Sequence, residues 1–145
     1  MLNHIETIFD DMAIMMKKLK KPIYKENMET FCEKNGHHFS EMVDYIDQKE
    51  DKVAAATEIA EEFTNAVENK FSKNGKMKGR TQADLNFFMI YYVFPSILMT
   101  NHLHAEQLAQ SICNEWGRKF KDSNIGFANY DKIYESFKNK IFGIF

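Results

Sequence analysis

Apolar residues recur along this chain at intervals of three and four, the period of a helix face. Leu2, Ile5, Phe9, Met12, Met16 and Leu19 form one such seam, of the kind two packed helices share. Asn3 with Glu6 can cap its start, and Pro22 keeps it from running far. Met28, Cys32, Phe39, Met42 and Ile46 keep a second phase, with Asn35 in the missing seam position and Gly36 after it. A mid-helix glycine costs only about 1 kcal/mol. The spacing therefore predicts one long helix over 24–46, with any bend at Gly36.

Asp47 with Glu50 reads as the cap of a third helix, whose inward stripe is Val53, Ala56, Ala60, Phe63 and Val67. Residues 72–80 contain two glycines within a basic cluster and read as an exposed loop. Thr81 with Asp84 then caps a helix that is apolar almost all round from Leu85 to Phe94. A helix without a polar face belongs in the middle of a domain. Pro95 cannot donate to the Tyr91 carbonyl and crowds that turn, so the 82–100 helix is expected to kink or break there. Asn101 is the expected cap of the next helix, with Ala105, Leu108, Ile112, Trp116 and Phe120 inward. After a connector over 122–127, a last helix turns Tyr130, Ile133, Tyr134, Phe137 and Ile141 inward, and the apolar 141–145 terminus should pack. The expected fold is all-α: one domain over 1–145, a bundle of about six helices, largely antiparallel because the connections are short.

Composition agrees and removes several functions. Thirteen Phe and nine Met against two Pro and six Gly suit packed helices better than a turn-rich sheet. A net charge of −2 gives no electrostatic case for nucleic acid or an anionic membrane. The charge is uneven: nine acids fall between Glu41 and Glu68, and Lys70, Lys73, Lys76, Lys78 and Arg80 follow without an acid. That basic loop interleaves only Phe71 and Met77, short of a stacking platform for bases. The apolar run from Leu85 to Met99 is shorter than the ~20 residues of a membrane span, and the N-terminus shows no secretory leader. A cytoplasmic location, with Cys32 and Cys113 reduced, is the expectation.

Candidate chemistry is sparse. A proline-broken helix in an apolar setting, with Asn86, Tyr91 and Tyr92 on it and His102 beyond it, has the make-up of a ligand pocket: apolar walls and a few polar handles. The same residues serve equally as an ordinary core whose hydroxyls find backbone partners. Histidines occur as His37-His38 and as His102-x-His104, with Glu106 nearby. On a helix such neighbours point about 100° and 200° apart, so neither pair converges on one metal unless its backbone is non-helical. No metal and no cofactor are expected on that ground. Both cysteines lie on apolar stripes, and no nucleophile elbow, phosphate-binding glycine loop or Cys-x-x-Cys pair occurs; no catalytic residue is assigned. The expectation is a non-catalytic module that binds a protein partner or itself through apolar helix faces. The alternative is a small-molecule-binding domain with its pocket beside the 82–100 helix. An enzyme has least support.

Overall fold

The computed structural model describes Ile8, Asp10, Ile14, residues 24–72, 79–100 and 102–120, and Glu135. It is all-helical there, with no strand among the described residues. Helix α1 spans Tyr24–Asp47 and α2 Lys52–Phe71; α3 covers Gly79–Phe88, runs into a π-helical turn over Met89–Val93, and continues as α4, Phe94–Leu98; α5 is Ala105–Lys119. Most of the N-terminal seam, the 73–78 loop, Asn101, the 122–127 connector and the C-terminal stripe lie outside the described residues. Ile8, Asp10, Ile14 and Glu135 are helical. No described helix is long and apolar enough to cross a membrane.

Helix α1 runs unbroken through Gly36, where a Cβ would meet nothing within 4 Å. The glycine is therefore not needed for close packing. Asn35 holds its seam position fully buried, and its Nδ2 donates to the Phe31 carbonyl at 3.2 Å. That bond to the preceding turn satisfies one N–H of the amide and offsets part of the penalty of burying it on an apolar face.

The expected caps move. Asp47 ends α1, and Asp51 caps α2: its Oδ1 accepts from the Ala54 N–H at 3.0 Å. Three acids, Asp47, Glu50 and Asp51, crowd this connection, and the turn over 48–50 selects the last of them. Val53, placed on the buried stripe by its spacing, is 59% exposed. The inward face begins only at Ala55 and Ala56 and continues through Ile59, Ala60, Phe63, Thr64 and Val67. Helix α3 already includes Gly79, ahead of the Thr81 cap expected for it.

Pro95 does not end its helix. The Phe94 N–H bonds to the Met89 carbonyl, five residues back, and the α register returns when the Met99 N–H meets the Pro95 carbonyl at 2.9 Å. Phe94 is in the αR region (φ −61°, ψ −44°), which a following proline disfavours. The wider π turn makes room for the ring that an α turn would obstruct. Ser96 Oγ donates to the Tyr92 carbonyl at 2.6 Å, so a side chain supplies a hydrogen bond in the turn where proline removes one.

One apolar cluster draws on every described helix. The most extensive pairing is α2 with α5. Alanines 55, 56 and 60 on α2 allow close approach, and α5 presents Leu108, Ala109, Ile112, Cys113 and Trp116. At the other pole α1 packs on α4 and the π turn. Phe31 meets Phe88 edge-on at 5.1 Å and Tyr92 at 6.0 Å, and Phe88 stacks on Tyr92 at 4.6 Å. Each such pair contributes about 0.5–1.5 kcal/mol beyond its buried area.

Candidate functional site

Two places gather polar chemistry, one inside and one at an edge. The interior one is the region the sequence offers as a pocket. Asn86 is 6% exposed, and its Oδ1 accepts from Trp116 Nε1 at 2.9 Å and from Gln82 Nε2 at 3.0 Å. The carboxamide oxygen thus takes two donors, both from the protein, and ties α3 to α5. Tyr92 is 2% exposed, enclosed by Phe31 and Phe88. The Tyr91 side chain lies outside the described ones. Both side chains are thus buried among groups of the core.

The thiols are equally committed to packing. Cys113 is fully buried and in no disulfide, and burial pushes its thiol up to about 11. Cys32 is half-buried rather than fully inward; burial raises its thiol, the Ser96 hydroxyl partly offsets this, and the charge of Glu33 adds to the rise. A thiol raised in this way is a poor nucleophile at neutral pH.

His102, the fourth residue offered for the pocket, belongs to the other place. Residues 102–104 form a turn leading into α5, and the turn is not helical. His104 occupies the N-cap position without a side-chain capping bond, because its ring faces α1 instead. His102 Nδ1 lies 3.5 Å from Asp44 Oδ1, and His104 Nε2 lies 3.4 Å from Asp47 Oδ1. Asp44 and Asp47 are three residues apart, which places both carboxylates on one side of the last turn of α1. Ligand atoms of Asp44, Asp47 and His102 all fall within 4.8 Å of one another. The non-helical turn brings His102, but not His104, into a group with both carboxylates. Glu106 is exposed and belongs to no such group.

Between the two histidines Leu103 projects into solvent, 88% exposed, with Met99 44% exposed four residues before it. The His-x-His spacing was visible in the sequence, and so was Asp-x-x-Asp. Their meeting across 58 residues of chain was not, since nothing local encodes it.

Comparison with known protein families, with curated proteins and with solved structures finds no match.

Proposed function

We propose that this protein is a non-catalytic helical interaction module that binds a protein surface, of a partner or of a second copy, through apolar side chains at the edge where α1 ends and α5 begins. The observation that carries the reading is Leu103. Its turn lies against α1, with His102 3.5 Å from Asp44 and His104 3.4 Å from Asp47, while the leucine itself stands almost wholly in water. Full burial of such a side chain on docking yields about 1.5–3 kcal/mol, and a turn already fixed loses little entropy when it binds. The reading takes the chain as a cytoplasmic domain of about six largely antiparallel helices, with the 82–100 helix bent near Pro95 at its centre.

The small-molecule alternative is weaker. Its polar handles would be Asn86 and Tyr92, and the Asn86 oxygen already holds two protein donors. An enzyme is weaker still, because burial raises both thiols.

Replacing Leu103 with photo-leucine tests the reading. Irradiation should give one cross-linked species of defined stoichiometry, either at twice the 17.1 kDa chain mass or with a single partner. The reading fails if position 103 cross-links no more than an analogue placed at exposed Gln110. Light scattering then separates self-association from a foreign partner.

A further inference from the structure

We propose that Asp44, Asp47 and His102 form a binding site for a divalent transition-metal ion of the zinc class, with His104 orienting the carboxylate of Asp47. This stands independently of any docking by Leu103.

The separations are the first reason. Charge-assisted hydrogen bonds between a ring nitrogen and a carboxylate are about 2.7–2.9 Å long, and His102 Nδ1 stands 3.5 Å from Asp44 Oδ1. Ligands roughly 2.05 Å from a zinc ion lie about 3.3 Å apart at tetrahedral corners. The Asp44–His102 separation thus lies nearer the edge of a coordination shell than a charge-assisted hydrogen bond. Asp44, His102 and Asp47 each offer one ligand atom within 4.8 Å of the others, and their side chains are partly exposed. A fourth position is left for water, as in open three-ligand sites.

The charge distribution is the second reason. The last turn of α1 carries Asp44 and Asp47 and no basic residue, although the helix dipole is negative at that end. Lys52 lies close by, and its ammonium donates to the backbone carbonyls of Asp47 and Lys49, not to the carboxylates. Two like charges one turn apart at a helix C-terminus oppose one another and the dipole. A divalent cation would relieve both.

The donor set decides the class of ion. Carboxylates alone suit magnesium or calcium, whereas an imidazole nitrogen favours zinc and its first-row neighbours. His104 touches Asp47 and falls outside the converging group. Its place is that of the ring that fixes a liganding carboxylate from behind.

Isothermal titration of the full chain with zinc, alongside elemental analysis, tests the proposal. One zinc per chain is expected, and magnesium should bind at least about tenfold more weakly. Asp44→Asn with His102→Gln should lower zinc affinity by at least about tenfold, while His37→Gln, on an exposed histidine elsewhere on α1, should not. His104→Gln should weaken zinc by a smaller factor and leave the melting temperature of the metal-free protein unchanged. In a cobalt-loaded sample, His102→Gln should alter the visible d–d absorption, which keeps the test decisive even if the double variant folds poorly. Failure to bind zinc at micromolar concentration overturns the proposal. So does equal affinity in the double variant, or a cobalt spectrum indifferent to His102.

Discussion

The centre and the edge of this molecule use polar side chains in opposite ways. At the centre, Asn86, Ser96 and Trp116 are buried, and each meets a partner supplied by the fold. At the edge, Asp44, Asp47, His102 and His104 face one another at separations too long for strong hydrogen bonds and remain partly open to water. A buried polar group must be satisfied internally or it costs free energy, so the centre has little chemistry left for a ligand. Groups in water carry no such obligation and remain available. Of the residues the sequence offers for a pocket, Asn86 and Tyr92 are buried at the centre, while His102 stands at the edge beside Asp44.

The largest effect that could break this contrast is at the centre. Trp116→Ala should cost about 3–5 kcal/mol in urea denaturation, because it removes the largest fully buried side chain and a bond between helices. A loss below about 1 kcal/mol would mean that the interior is loosely packed after all. Asn86→Ala should cost about 1–3 kcal/mol, by leaving the indole N–H without its acceptor; a neutral result would return Asn86 to the list of ligand-facing groups.

Cys113 gives a pH-dependent check on the same enclosure. Its folded pKa of about 11 stands above the ordinary 9.0, so the folded state favours the protonated thiol. The unfolded chain ionises first, and the contribution to stability, complete below about pH 9, is lost as pH rises towards 11. Cys113→Ala should flatten that part of the stability profile, and a profile unchanged by the substitution would contradict deep burial.

The smallest stability effect should come from the edge. Leu103→Ser should change stability by less than about 0.5 kcal/mol, since the side chain is 88% exposed. It should nevertheless abolish the association detected by light scattering. A destabilisation of 2 kcal/mol, on the order expected for a core leucine, would place Leu103 in the interior and erase the contrast.

The sequence makes some of this legible and hides the rest for definite reasons. The α1 helix through Gly36 follows from an apolar phase that survives the glycine, and no close neighbour there demands a break. The buried character of 85–97 follows from the lack of a polar face, as Leu85, Phe88, Met89 and Tyr92 to Ile97 show. Val53 misleads because periodicity extends a stripe to the first turn of a helix, while the neighbouring helix begins to cover α2 only at Ala55. At Pro95 the local rule knows the missing N–H but does not foresee the π turn that precedes it or the Ser96 hydroxyl on the Tyr92 carbonyl. Partners distant in sequence are invisible altogether. Asn86 finds Trp116 thirty residues on, and the histidine turn finds the end of α1, only once the chain has folded.

One heteronuclear NMR titration of the full chain with zinc tests the contrast most directly. The chain has a single tryptophan, so its indole N–H signal reports the centre without ambiguity, and the His102 and His104 ring signals report the edge. The imidazole signals should shift and saturate at one equivalent, while the Trp116 indole stays in place and protected from exchange. An indole that moves or exchanges freely while both histidines stay silent would contradict the account.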